Sequence, residues 1–168
     1  MAIVTSASAG MRAAGRATIL QLRDPLSSVH TIENEAMALV PISPVPVLIS
    51  SRCDVAVAAG AAGVNLPEKD ISVAGARSLL GERLVGRSVH SLDTALQAES
   101  DGADFVIFGP VWASASHPAS SPSGIAALAE VARALRIPVL AIGGLTAERV
   151  AEVHAAGAAG YAAIRMFE

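Results

Sequence analysis

One cysteine (Cys53), one lysine (Lys69) and an aromatic content of 3% set the first limits on this 168-residue chain. A single thiol excludes an intrachain disulfide and a thiolate metal cluster, which fits a reducing compartment, and its plain role is that of a small interior side chain. With one lysine, eleven arginines scattered along the chain and a net charge of -3, there is no basic stripe to follow a nucleic-acid backbone. So few rings leave no stacking platform for bases. The uncharged apolar runs fall well short of the ~20 residues a membrane helix needs, and the first residues lack the basic start and apolar core of a signal peptide. The expected setting is the cytoplasm, with no nucleic acid or membrane partner and a small molecule as ligand.

What the chain has in quantity is apolar residues, 52% against 16% charged, with a mean hydropathy of +0.52. That balance suits strands buried on both faces beneath covering helices. The length is one domain's worth, so residues 1–168 are expected to form a single core.

The pattern alternates throughout. Short apolar runs at 2–5, 18–23, 47–50, 63–66, 84–89, 103–108, 138–142 and 161–164 read as eight strands. Between them lie a small-residue segment at 6–17 interrupted by Gly10 and Gly15, then helical patterns at 30–39, 52–59, 73–80, 92–98, 123–135 and 147–156. Asp24 and Pro25 are placed to start the second helix, and Ser91 to cap the fifth. The segments AAGAAGVNL, ESDGADFVIFG and HAAGAAGYAAI repeat a helix end, a glycine turn and a strand. Eight such units predict an α/β fold of the (βα)8 TIM-barrel kind, shortened, with a weak first helix and no residues for a closing eighth helix. The outer faces of the first and eighth strands would then be bare, which predicts a homodimer that covers them, or the segment 6–17 folding across part of the gap.

In a parallel α/β fold, side chains at the carboxyl ends of strands face the ligand crevice. His90 ends the fifth strand, and the loop 109–117 follows the sixth, so both are candidates for one pocket. Gly143 and Gly144 end the seventh strand, and Arg165 and Met166 follow the eighth. The loops after strands seven and eight are the recurrent phosphate site of such barrels, and glycine there leaves amides open to an anion. A phosphorylated small molecule is the leading ligand class, against the plainer view that Gly-Gly is only a turn. Ser114, Ser116 and His117 lie on a loop that either closes over the ligand or is merely solvated. His30 and His154 read as structural, and Glu33 and Glu35 lack the partners of a metal site.

The blocks QLRDP (from Gln21), SSRCD (from Ser50), GVNLPEKD (from Gly63), GRSVHS (from Gly86), GADFVIFGPVW (from Gly102) and AIGGL (from Ala141), with 156–164, resemble in order the signature blocks of the thiamine phosphate synthase/TenI family. The resemblance spans nearly the whole chain. It implies a βα barrel, usually dimeric, acting on thiamine precursors that bear phosphate. Family members are either synthases, which join a pyrimidine pyrophosphate to a thiazole phosphate with Mg²⁺, or TenI-type thiazole tautomerases. The synthases carry a lysine where this chain has Pro25, an Asn-Asp pair where it has Ser50 and Ser51, and a lysine where it has His117. Asp70 matches one metal-binding aspartate of the synthases, with the neutral Ser51 in its partner's place.

The block holding His90 looks like TenI-type members, where the histidine at this place is acid and base in an allylic proton shift, a task that suits a group titrating near neutrality. The resemblance therefore leads to the expectation of a cofactor-free tautomerase. His90 would be catalytic, Gln21, Arg23, Ser88, Ser114, Ser116 and His117 would bind substrate, and Gly143, Gly144, Arg165 and Met166 would bind its phosphate. The alternatives are a thiamine phosphate synthase, with Mg²⁺ on Asp70, and a non-catalytic binder or regulator of thiamine-related phosphates.

Overall fold

The computed structural model describes residues 1–113 and 121–168. Eight parallel strands run in chain order around one sheet: β1 (Ala2–Val4), β2 (Leu20–Leu22), β3 (Val47–Ser50), β4 (Gly63–Leu66), β5 (Leu84–Val89), β6 (Phe105–Phe108), β7 (Val139–Ile142) and β8 (Gly160–Ala162). A bridge between Ala2 and Ala163 joins the two edges, with Ile3 N–H donating to the Ala163 carbonyl at 2.9 Å. The sheet is thus a barrel of the TIM type. Around it lie α1 (Ala7–Ala14), α2 (Val29–Leu39), α3 (Cys53–Ala58), α4 (Val73–Leu80), α5 (Leu92–Ser100), α6 (Gly124–Ala134) and α7 (Val150–Ala155).

The strand period of two separates two cores. Outward positions such as Leu20, Leu22, Val47, Ile49, Val64, Leu66, Val106 and Phe108 are buried beneath the helices. The inward set, Met1, Ile3, Leu48, Phe105, Ile107 and Ala162, fills the barrel itself. Gly86 faces inward beside Phe105, and a Cβ there would run into the phenyl ring, so its glycine is the space the ring occupies. At the carboxyl end the inward positions turn polar, with Gln21 and Asn65 only 2% and 3% exposed.

Two features differ from the sequence-based expectation. Gly10 does not interrupt α1; it lies where a Cβ would come within 2.8 Å of the Leu39 side chain, so it lets α1 pack tightly on α2. Gly10→Ala would press on the end of the Leu39 side chain, a cost that the better helix propensity of alanine partly offsets. Asp24 and Pro25 do not begin α2 either. Asp24 accepts from Leu26 N–H and Ser27 Oγ in a local turn, and Ser28 caps the helix through Thr31 N–H at 3.1 Å.

The face expected to be bare is covered within the chain. Ala2 and Val4 of β1 are buried, with Ala13 and Ala14 of α1 in the same core. A single 3-10 turn at Arg165–Phe167 brings the buried Phe167 onto that core, stacked on Tyr161 with ring centroids 6.2 Å apart. Arg16 ties the turn down by donating to the Phe167 carbonyl at 2.7 Å. The reason for requiring a second copy at this place is therefore removed, and the alternative of 6–17 folding across the gap holds.

Candidate functional site

The polar end of the barrel opens into a cavity of about 540 Å³, within the size range of small-molecule sites. Gln21, Arg23, Ser88, His90, Gly143, Gly144, Arg165 and Met166, all anticipated as site residues, line it together. Ser114, Ser116 and His117 lie outside the described residues.

The floor is polar and incompletely paired. Asn65 donates from Nδ2 to Ser88 Oγ at 3.0 Å, while its Oδ1 and the Oε1 of Gln21 have no hydrogen-bond partner among the described residues. A buried acceptor left unpaired costs about 1–3 kcal/mol, so two of them on a cavity floor are better matched to a donor-bearing ligand than to an empty barrel. Asn65 escaped the sequence analysis although it carried a signal. It is the one strongly polar residue in GVNL, at an inward position between the outward Val64 and Leu66.

Above the floor, His90 Nδ1 donates to the Gly109 carbonyl, which fixes the orientation of the ring. Its backbone N–H donates to Glu68 Oε1 at 3.1 Å, and Glu68 also lines the cavity. Arg23 enters at the end of β2, its backbone N–H held by the Val4 carbonyl at 2.8 Å.

At the ends of β7 and β8 the wall is largely backbone. Gly143 and Gly144 have φ of 95° and 65°, conformations that favour glycine. A Cβ on Gly144 would lie 2.6 Å from both Trp112 Cβ and the Ala113 carbonyl oxygen. Trp112 N–H donates to the Gly143 carbonyl at 3.2 Å, fastening the loop after β6 to this turn. Arg149 also lines the cavity here, which the sequence did not signal.

The β3 and β4 ends are different. Ser51 holds a φ of 69°, unusual for a residue with a side chain, and its Oγ donates to Asp70 Oδ2. Asp70 Oδ1 accepts from Ile71 N–H at 2.8 Å. Arg52 is paired with Asp54 and holds that carboxyl down at about 2. Burial, with Asp70 and Asp54 adding negative charge, pushes the Cys53 thiol up, consistent with an inert interior cysteine.

The model of the family described as thiamine monophosphate synthase matches residues 4–167. The chain belongs to this family. It is 39% identical over 154 residues to the thiamine-phosphate synthase of Chloroflexus aurantiacus, which covers 89% of this chain and 71% of that protein. Against the thiamine-phosphate synthase of Anaeromyxobacter dehalogenans the identity is 43% over 159 residues, 93% of this chain and 71% of that protein. The thiamine phosphate pyrophosphorylase structure from Pyrococcus furiosus superposes with a TM-score of 0.86 at 28% identity, over 97% of this chain and 84% of that one. A 3-hexulose-6-phosphate synthase, at 20% identity and a TM-score of 0.74, shares the fold alone.

These relatives overturn the thiazole tautomerase reading and the isomerase class with it, since they bear the synthase name. The tautomerase reading rested on His90 and on the substitutions at Pro25, Ser50, Ser51 and His117. Those few positions weigh less than a likeness running through nearly the whole chain. His90 keeps its place on the cavity wall without the role of tautomerase base.

Among the described residues no helix is long and apolar enough to cross a membrane, and no three His, Cys, Asp or Glu side chains gather as a metal site.

Proposed function

We propose that this chain is a transferase that joins a pyrimidine methyl diphosphate to a thiazole phosphate, giving thiamine phosphate and diphosphate. The thiazole nitrogen forms a bond to the pyrimidine methylene carbon as the bond from that carbon to the diphosphate oxygen breaks, and the electron pair leaves with the diphosphate. The enzyme's task is to hold two anionic ends apart and their reacting centres together, which is largely positioning and charge stabilisation.

The observation that carries this reading is the cavity floor, where Gln21 and Asn65, 2% and 3% exposed, each leave an oxygen without a partner among the described residues, in a cavity also lined by Arg23 and by the turn at Gly143 and Gly144. Acceptors suit the exocyclic amino group of the pyrimidine half of thiamine. Arg23 would meet the diphosphate, where negative charge grows as the bond breaks. Gly143, Gly144, Arg165 and Met166 would hold the thiazole phosphate, and Ser88 would orient Asn65. The cavity's volume, about 540 Å³, suits two small rings with their phosphates.

The resemblance to the synthases brings Mg²⁺ with it, and the residues here do not fit a protein-built site for that ion. Asp70 has both oxygens already accepting hydrogen bonds, and the place of a second carboxylate is taken by the Ser51 hydroxyl. A chelate of the hard-oxygen kind needs more negative donors than these.

The test is product formation from the two substrates. Thiamine phosphate and diphosphate appearing in equal amounts support the reading, and the absence of both with the folded chain overturns it.

A further inference from the structure

The geometry points to Arg149 as a residue that selects for the phosphate of the thiazole substrate, a role that rests on the transferase reading. Arg149 precedes α7, and three observations fix it. Its guanidinium carbon lies 4.9 Å from the centroid of the Trp112 ring, in a cation–π arrangement. Its Nη1 donates to the Gly144 carbonyl at 2.5 Å. Its side chain lines the same cavity as Gly143, Gly144 and Arg165.

A staple for the glycine turn would explain one hydrogen bond and some ring contact, and a neutral donor would serve for that. A half-buried guanidinium carries more. It has a planar fork of donors of which the Gly144 carbonyl takes one, and neither salt bridge among the described residues involves it. A fork held still by a ring face on one side and a carbonyl on the other has lost its rotational freedom before any ligand arrives, so binding an anion costs it little further ordering. The groups beside it narrow the ligand class. The turn at Gly143 and Gly144 lines the cavity without side chains of its own, and Arg165 adds a second cation to the same lining from the end of β8. One guanidinium on the glycine turn and a second arginine in the same cavity wall suit the tetrahedral dianion of a phosphate monoester rather than a neutral alcohol. Arg149 therefore acts as a specificity-determining residue, separating thiazole phosphate from its unphosphorylated alcohol.

The experiment is calorimetric titration of the full chain and its Arg149→Gln and Arg149→Lys variants with thiazole phosphate, the thiazole alcohol and inorganic phosphate, with thermal unfolding confirming that each variant is folded. Arg149→Gln is expected to weaken thiazole phosphate by about 10- to 100-fold, as the loss of hydrogen bonds to a charged group implies. The alcohol should change by less than about threefold, and Arg149→Lys, which keeps the charge without the fork, should fall between. Equal weakening of phosphate and alcohol would make Arg149 a structural staple and overturn the inference, as would no weakening of either. If the parent binds inorganic phosphate in an Arg149-dependent way but thiazole phosphate no better, the phosphate role stands and the thiazole reading falls. If the parent binds none of the three, both fall. Should Arg149→Gln not fold, Arg149→Lys decides alone: unchanged discrimination between phosphate and alcohol would overturn the fork as the selecting element.

Discussion

The two sides of the cavity mouth use their charged groups in opposite ways. At the ends of β7 and β8, Arg149 and Arg165 line the cavity beside the turn at Gly143 and Gly144, so cationic groups are part of its wall. At the ends of β3 and β4 the charged groups are mostly engaged within the protein, although Glu68 reaches the cavity: Ser51 donates to Asp70, Arg52 pairs with Asp54, and Arg87 of β5 donates to the carbonyls of Glu68 and Ile71. Arg23 is the cation of the β2 side that lines the cavity. On the proposed function, a phosphate end lined by two arginines and a diphosphate end lined by Arg23 should be unequal in their sensitivity to change.

The largest break in that comparison is expected from Arg23→Ala. With no second cation of the β2 side lining the cavity among the described residues, kcat/KM for the pyrimidine diphosphate should fall by about 100- to 1000-fold, while thiazole phosphate binding by calorimetry stays within about twofold. A parallel loss in both would show that Arg23 shapes the whole pocket. On the opposite side, Gly144→Ala forces a Cβ to 2.6 Å from Trp112 Cβ and the Ala113 oxygen at a φ of 65°. Thermal denaturation should show a stability loss of about 1–3 kcal/mol, and thiazole phosphate affinity should fall with it.

Ser51→Asp sharpens the contrast in the other direction. Aspartate tolerates the positive φ of this position better than serine does, and its carboxylate beside Asp70 supplies the missing second negative donor. Mg²⁺ affinity measured by titration should rise about tenfold, and without the ion the variant should lose stability as pH rises above the carboxylate range, since two like charges then face each other. No gain in Mg²⁺ affinity would mean that Asp70 is not placed to share an ion. The smallest effect is expected at the outer pair. Asp54 is lowered from 3.8 to about 2 by Arg52, so its contribution is present above the usual carboxylate value and is lost as pH falls through about 2. The pair is exposed, so Asp54→Asn should only slightly flatten the acid limb of the stability profile between about pH 4 and pH 2.

The barrel was legible because glycine and proline punctuate it. Each apolar run bounded by such residues became a strand: β3, β4 and β5 fill their expected ranges, β1, β2, β6 and β7 are shorter by one to three residues, and β8 starts one residue early. Where the reading failed, a partner distant in sequence decided the outcome. Gly10 looked like a breaker until Leu39 supplied the reason for it, and Asp24 looked like a helix start until Ser27 engaged it. The same holds for the site. Strand ends pointed to His90, Gly143 and Gly144, and the family resemblance to Gln21, Arg23 and Ser88, all of which line the cavity. Asn65 was visible as a polar residue in a buried strand, whereas Arg149 had no sequence signal because its geometry is set by Trp112 from another loop. The misjudged chemistry had a different origin: the substitutions at Pro25, Ser50 and Ser51 were read as loss of a function that the relatives sharing nearly the whole chain carry in their name.

The most direct test of the central claim is a coupled measurement on the purified full chain, supplied with pyrimidine methyl diphosphate and thiazole phosphate, following thiamine phosphate and released diphosphate together. Transferase function predicts equimolar release of the two, abolished by omitting either substrate and cut by about 100-fold or more in Arg23→Ala. A folded chain that binds both substrates yet forms no thiamine phosphate would contradict it.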